Sequence, residues 1–170
     1  MLSAQDTLLF DQVDTKPQLR TEDIPVADGE QDQEKLFLIG IYSTVIYPRY
    51  ARDNGVRATI KVAYIIDVNG ELVVDETRTL TPEEATNINV PKKEMISIVG
   101  YSIKPVNNGT GAPISSPWQT KSKKRLAKAH KALEDAAVAS LLTLPKYIPG
   151  SHEGNPITVR KTLYFDFRLE

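Results

Sequence analysis

The sequence predicts an α+β domain, with a small antiparallel sheet of about three strands and helices packed on one face of it. Two strand-like runs, residues 57–67 and 71–77, flank Asn69-Gly70, a dipeptide typical of hairpin turns. Residues 121–144 carry apolar side chains at helical spacing, and residues 157–169 alternate between apolar and polar. An apolar helix stripe and an apolar sheet face must each be covered, so we expect them to pack together.

The composition of the chain excludes several classes of function. The chain has 170 residues, which favours one domain, and its formal net charge of -1 provides no field that would attract nucleic acid. It has no cysteine, which excludes disulfides, thiolate nucleophiles and Cys-ligated zinc. Its two histidines are too few for a His-rich metal site. No apolar run approaches the roughly 20 residues of a membrane span. We therefore expect no metal, no cofactor and no nucleic-acid partner.

The N-terminal region differs from the rest. Residues 1–30 are acid-rich, and only Leu8-Leu9-Phe10 and Val13 suit a short strand, so we expect a partly ordered segment followed by one domain over residues 31–170. The opening MLSA resembles the small-residue end of a signal sequence. It equally fits an initiator Met placed before a trimmed chain, and the two interpretations are compatible.

The domain begins with two helices. The spacing of apolar residues after Asp32 favours a helix that ends at Pro48, and Pro48 can open a second short helix over residues 48–54. Residues 81–120 are rich in proline and contain one strand-like run, residues 95–103, so they are interpreted as an insertion. Within it, Thr81-Pro82-Glu83-Glu84 is typical of a helix start rather than of paired catalytic carboxylates.

The final strand is strongly amphipathic. One face carries Ile157, Val159, Leu163, Phe165, Phe167 and Leu169, and the other carries Thr158, Arg160, Thr162, Tyr164, Asp166 and Arg168. If this strand is terminal in the sheet, its unpaired backbone groups can accept an extended segment of another protein. The alternative is protection, with Lys161 on the apolar face, beside Arg160 and Arg168, deterring strand addition.

Catalytic candidates are few. His130 lies on the apolar stripe of the long helix, where a core or boundary role is the more common one, and His152 lies in the turn SHEGN. The basic residues 121–125 fit the solvated start of a helix, and no phosphate-binding glycine loop is present. We therefore expect a protein that is not an enzyme and has no catalytic residues.

Several spaced motifs occur together. Tyr47-Pro48, Ala51 and Gly55 precede the hairpin, and the long helix runs into Pro145-Lys146-Tyr147-Ile148-Pro149-Gly150 and then Gly154-Asn155-Pro156-Ile157-Thr158-Val159. In this order the motifs resemble the C-terminal domain of the TonB energy transducers, over roughly residues 28–77 and 125–169. Tyr147 would hold the helix end against the sheet, and Gly154-Asn155-Pro156 would start the last strand.

The resemblance implies a periplasmic protein-binding domain. It would dock the extended box peptide of an outer-membrane TonB-dependent receptor by strand addition and couple energy to transport, with inner-membrane motor proteins as further partners where the full-length protein has an anchor. The docking edge would be residues 157–169, with the stretch before Tyr47-Pro48 nearby. The partner-binding residues implied are Ser43, Thr44, Tyr47, Pro48, Thr158, Arg160, Thr162, Tyr164 and Arg168.

The chain also departs from the family. Tyr147 stands where relatives usually have Trp, and residues 81–120 replace a short link, so this insertion could cover or extend the docking edge. A membrane anchor and a Pro-rich spacer are not seen. The alternative is therefore a stand-alone exported envelope protein with this fold, which binds itself, as a homodimer, or another envelope component.

Overall fold

The computed structural model describes residues 7–20, 22, 32–101 and 122–170. Eight strands and four helices follow one another in the described part of the chain. They are β1 (Thr7–Leu9), β2 (Gln18–Leu19), α1 (Gln33–Thr44), α2 (Arg49–Asp53), β3 (Ala58–Ile66), β4 (Leu72–Thr79), α3 (Pro82–Asn87), β5 (Met95–Gly100), α4 (Lys123–Leu142), β6 (Tyr147–Ile148), β7 (Gly150–His152) and β8 (Asn155–Leu169). The α+β class is confirmed.

The sheet is larger than the sequence predicts. It has six strands rather than about three, with β4, β3, β8 and β1 side by side and with β5 and β7 also paired to β8. The pairs β3–β4 and β3–β8 are antiparallel, whereas β1 and β5 run parallel to β8. A separate two-stranded ladder joins β2 to β6. The expectation of a purely antiparallel sheet is therefore wrong, because two strands outside the recognised motifs join it.

The hairpin of β3 and β4 forms where Asn69-Gly70 predicts it, but its turn has one residue of positive φ and not the two of a tight Asn-Gly turn. Gly70 has a φ of +80°, whereas Asn69 does not have a positive φ. The amide of Gly70 donates to the carbonyl of Asp67 (2.9 Å), and the Asp67 side chain accepts from the amides of Asn69 and Glu71. One glycine in the left-handed region suffices for this longer connection.

The core lies between one face of the sheet and the helices α1 and α4. Helix α4 contributes Ala129, Leu133, Ala137 and Leu141, and α1 contributes Leu36, Phe37 and Ile41. The strands contribute the side chains of Ile60, Val62, Tyr64, Ile66, Ile96, Leu163, Phe165 and Phe167. The two predicted helices, one from after Asp32 up to Pro48 and one over residues 121–144, are confirmed with shorter bounds, and their apolar stripes cover the sheet.

The connection between α4 and β8 holds Tyr147 against the hairpin and turns once, at Glu153-Gly154. Tyr147 is buried, and its amide donates to the carbonyl of Gly70 (2.9 Å), which ties the end of the long helix to the hairpin turn. Glu153 and Gly154 then have positive φ angles of 48° and 79°, and β8 begins at the next residue. The dense prolines and glycines of residues 145–156 therefore form a structural connection between α4 and β8.

Candidate functional site

The polar residues of the last strand share one surface. Thr158, Arg160, Thr162, Tyr164 and Arg168 alternate with the buried Val159, Leu163, Phe165 and Phe167, so they lie on the face of β8 opposite the helices. We call this surface the outer face of the sheet. The alternation predicted from the sequence is confirmed.

The position of β8 in the sheet differs from the expected one. Its residues 159–167 pair with β3 on one side, and on the other side residues 158–160 pair with β1 and residues 164–169 pair with β5. The expectation that the last strand is the open edge of the sheet is therefore wrong. Strand β5 belongs to the insertion and β1 to the N-terminal segment, and both occupy the edge at which a peptide would dock.

A short break remains between these two strands. Among the described residues, 161–163 have no pairing partner on the side of β8 that faces β1 and β5. A strand of the usual length, roughly five or six residues, is longer than this break. Such a partner strand would therefore have to displace β1 or β5.

Ion pairs occupy the arginines of the outer face. Arg160 lies 2.8 Å from Asp75 and 3.8 Å from Glu76, while Arg168 lies 2.5 Å from Asp166. Each of these arginine side chains is substantially exposed, so each pair contributes little to stability. The arrangement nevertheless gives each guanidinium a carboxylate partner within the chain, which leaves it less available to another protein.

At the rim of the outer face, Arg78 joins β4 to the start of α3. Its guanidinium lies 3.0 Å from Glu84 and 3.6 Å from Glu76, and Glu84 also accepts from the amide of Thr81 in a capping box. The hydrogen bond from Arg78, followed by that from the Thr81 backbone, lowers the pKa of Glu84 to about 2. The sequence interpretation of Thr81–Glu84 as a helix start is confirmed.

From the low pKa of Glu84 we expect the free energy of unfolding to fall in acid. Because the folded-state pKa is depressed, the contribution of Glu84 is fully present above its ordinary pKa of 4.5 and is lost as the pH falls towards about 2. We expect Glu84→Gln to make the fall in stability over this interval shallower than in the parent. Urea unfolding at several pH values measures it, with Glu83→Gln as the neighbouring control. Equal acid slopes in both variants would contradict the assignment.

The residues before Pro48 lie elsewhere. Ser43 and Thr44 close the last turn of α1, where both hydroxyls donate to the carbonyl of Gly40, and Thr44 also contacts Thr143 at the end of α4. These residues belong to the helix layer, on the side of the sheet away from the outer face. The structure therefore does not bring Ser43 and Thr44 together with the polar residues of β8.

Tyr47 is a core residue. Its hydroxyl donates to the carbonyl of Val56 (2.5 Å), and its ring meets Phe167 edge to face at a centroid distance of 5.4 Å. Burial is the main cause that raises the pKa of Tyr47 to about 12. Pro48 is the N-cap residue of α2. These placements give Tyr47 and Pro48 structural roles.

The surface that sequence reasoning missed is the far side of β5. Gly100 of this strand packs against the ring of Tyr47, so the segment before Pro48 does approach the edge of the sheet, at β5 rather than at β8. No strand pairs with the far side of β5 in the described ranges. The sequence of residues 95–100 predicts a strand, but it does not indicate that this strand pairs with β8.

The two histidines lie far apart in the sequence and in different elements of the fold. Burial lowers the pKa of His130 on α4, while His152 lies in the connection before β8, 3.3 Å from Asp14. Within residues 7–20, 22, 32–101 and 122–170, no three side chains of the types that bind metals are grouped. Over the same residues, no helix combines the length and apolarity needed to cross a membrane.

Comparisons of the chain with protein-family models, with curated proteins and with solved structures find no match.

Proposed function

We propose that this chain is a non-enzymatic protein-binding domain of the bacterial envelope, and that it pairs an extended segment of its partner with the far side of β5. The observation that carries the proposal is the edge itself. Strand β5, Met95–Gly100, has no charged residue, and its far side is unpaired in the described part of the chain. An uncharged open edge is a template for another strand.

The hydrogen-bond pattern identifies the free backbone groups. The amide of Glu170 donates to the carbonyl of Gly100 (3.0 Å), so Gly100, Ile98 and Ile96 direct their backbone groups towards β8. The alternating residues Met95, Ser97 and Val99 therefore direct their amides and carbonyls away from it. These groups would form the ladder with a partner strand.

The opposite edge of the sheet is protected. Strand β4 carries Asp75, Glu76 and Arg78, and a bulge interrupts its pairing with β3. Its outward amide at Thr79 already donates to the carboxylate of Glu134 (2.9 Å). Charges, bulges and occupied amides are features that natural sheets use against strand addition. Strands β4 and β5 therefore differ, and of these two β5 is the receptive one; β1, whose far side is also unpaired in the described ranges, offers three residues against the six of β5.

Exposed side chains beside this edge can supply specificity. Val99 is 43% exposed, and Tyr101, which follows the strand, is 72% exposed. A partner strand on β5 would place its own side chains beside these two. In strand addition the backbone bonds provide affinity, and alternate side chains select the partner.

The partner is inferred from the resemblance to the TonB C-terminal domain. On that basis the chain acts in the periplasm, and its partner is the box peptide of an outer-membrane TonB-dependent receptor, held firmly enough to transmit a pulling force. The docking strand of this proposal is β5, since β8 is already paired on both sides.

A second candidate function is favoured by the origin of β5. This strand comes from the insertion that distinguishes the chain from the TonB pattern, so a partner of β5 need not be a receptor peptide. The alternative is a stand-alone exported envelope protein that binds itself or another envelope component. Two copies paired edge to edge through β5 would be its simplest form.

A pair of proline variants tests the docking edge. Ser97→Pro removes an amide that points away from β8. Thr77→Pro is the control, because it removes an amide that points away from β3 at the other edge. The amide of Leu80 donates to Thr59 of β3, and Thr77 lies three residues before Leu80, so its amide points to the opposite side. Both variants are expected to fold. We expect Ser97→Pro to weaken binding of synthetic box peptides by about tenfold, because a ladder bond is lost and the ring obstructs the edge.

The measurement is an NMR titration of the ¹⁵N-labelled protein with box peptides. Receptor docking would be supported by chemical-shift changes confined to residues 95–101, with peptide binding that Ser97→Pro weakens and Thr77→Pro leaves unchanged. A dimer in sedimentation equilibrium that Ser97→Pro dissociates, with no peptide shifts, would support the second candidate. Peptide shifts on β4, or a Ser97→Pro protein that binds as the parent does, would reject the β5 edge.

A further inference from the structure

A cavity of about 330 Å³ lies on the core side of the sheet, where the edge of β8 is interrupted between β1 and β5. Its walls come from five parts of the chain: the sheet, α1, residues 10–19 of the N-terminal segment, the turn before β5 and the segment after α4. The volume is at the low end of the roughly 300–1,000 Å³ typical of small-molecule sites. This cavity is separate from the far side of β5 that the proposed function uses.

Lys161 forms part of the cavity wall. It lies on the core face of β8 between Val159 and Leu163. The alternation of residues 157–169 predicts this placement, which puts a charged side chain on an otherwise apolar face. Its ammonium group lies 4.3 Å from the ring centroid of Phe10 and 5.5 Å from that of Phe37. The two rings stabilise the cation partly through their π faces.

No carboxylate neutralises this ammonium at close range. In the described ranges, no acidic oxygen lies within the 4.0 Å of an ion pair to Lys161. Burial lowers the pKa of Lys161, opposed by the more distant Glu94, Glu34 and Asp11, and nearby Lys93 lowers it further. A largely buried cation without a counter-ion is costly, and an anion beside it relieves that cost.

The rest of the lining combines positive charge with aromatic surface. Lys16 and Lys93 line the cavity together with Lys161, and among the described residues of the lining Glu34 is the one that is acidic. Lys16 is paired with Asp11 at 3.3 Å. The lining therefore carries more positive than negative charge, which favours an anionic occupant.

Tyr64 and Tyr147 supply further aromatic surface. Both line the cavity and both are at least nine-tenths buried. The hydroxyl of Tyr147 is buried without a hydrogen-bond partner among the described residues. Buried hydroxyls are rarely left unpaired, so Tyr147 brings an unsatisfied polar group into the wall behind the cavity surface.

We propose that this cavity binds a small organic carboxylate with an apolar or aromatic body. The carboxylate contacts the ammonium of Lys161, and the body lies against Phe10, Phe37 and Tyr64. A charged hydrogen bond in a partly buried site is about twice as strong as a neutral one, so the carboxylate determines the affinity. The apolar walls exclude strongly hydrated inorganic anions in favour of ligands with a hydrocarbon part.

The test uses three carboxylates of different shape, which are benzoate, hexanoate and 4-phenylbutyrate, together with the neutral 4-phenylbutanamide. Each is titrated into the ¹⁵N-labelled full chain, and dissociation constants are taken from the chemical shifts. We expect at least one carboxylate to shift residues that line the cavity, and 4-phenylbutanamide to bind about tenfold or more weakly than its acid. The pKa of Lys161, followed through its side-chain resonances, should rise when the carboxylate binds.

Two variants separate the site from a general charge effect. Lys161→Met retains the length of the side chain and removes the charge, whereas Lys61→Met removes an equal charge from the outer face, where Lys61 pairs with Glu76. We expect the first to weaken carboxylate binding about tenfold and the second to leave it unchanged. No shifts from any of the three carboxylates, or equal binding of acid and amide to the parent protein, would overturn the proposal.

Discussion

Gly70→Ala is expected to lower the free energy of unfolding by about 3 kcal/mol, one of the largest effects of a single methyl group in this chain. Gly70 has a φ of +80°, a conformation that costs an alanine roughly 1–2 kcal/mol. A Cβ at this position would also lie 1.9 Å from the carbonyl oxygen of Tyr147, so the backbone itself would have to move. Urea unfolding of the two proteins measures the difference.

Gly154 provides the matched control. Its φ is +79°, but a Cβ added there meets nothing within 4 Å. We therefore expect Gly154→Ala to lose about 1 kcal/mol, which is the cost of the left-handed conformation alone. The difference between the two variants isolates the close approach of the hairpin turn to residues 145–148. Equal losses in both would contradict that contact.

The second large effect is expected in the central strand. Phe167 is fully buried and meets Tyr47 edge to face, so Phe167→Ala removes a large apolar side chain from the middle of the core. We expect a loss of about 3–5 kcal/mol in the free energy of unfolding, from lost burial together with the cavity that remains.

The adjacent Arg168 is the control for this variant. It lies on the same strand but on the outer face, and its side chain is 62% exposed. We expect Arg168→Ala to change the free energy of unfolding by less than about 0.5 kcal/mol. Both losses are measured by urea unfolding, with heteronuclear NMR spectra to verify the fold. A loss from Arg168→Ala as large as that from Phe167→Ala would contradict the assignment of the two faces.

Local patterns predicted most of the helices and strands. The stripe of Ala129, Leu133, Ala137 and Leu141 was sufficient to identify α4, and Asn69-Gly70 was sufficient to locate the hairpin. These features depend on residues close together in the sequence, where periodicity and turn chemistry act directly. The same holds for the burial of Tyr147, because a large aromatic residue between two prolines at a helix end needs a covered position.

The strand pairing could not be predicted in the same way. The alternation in residues 95–100 indicates a strand, but nothing local shows that this strand runs parallel to β8 and not antiparallel to β4. Leu8 likewise fits a short strand, and only the folded chain shows that it pairs with Val159. The choice among such partners depends on the connections and on the whole core.

That difference explains the misplaced docking edge. The site residues Arg160, Thr162 and Tyr164 were assigned to the correct face of β8, since faces follow from alternation. Whether their backbone groups are unpaired depends on the strands next to β8, and β1 and β5 pair with β8 on that side. Edge identity is a property of the assembled sheet, and the sequence of one strand does not contain it.

The central position of β8 has a consequence for how the chain folds. All of its strand partners, β1, β3, β5 and β7, precede it in the sequence, and β1 joins it across about 150 residues. The sheet therefore cannot assemble as the chain emerges from the ribosome, and earlier strands remain unpaired on one side until residue 169 has been made. Such an order slows folding and leaves strand edges exposed until the last strand joins, so the complete sheet forms late and in one step around β8.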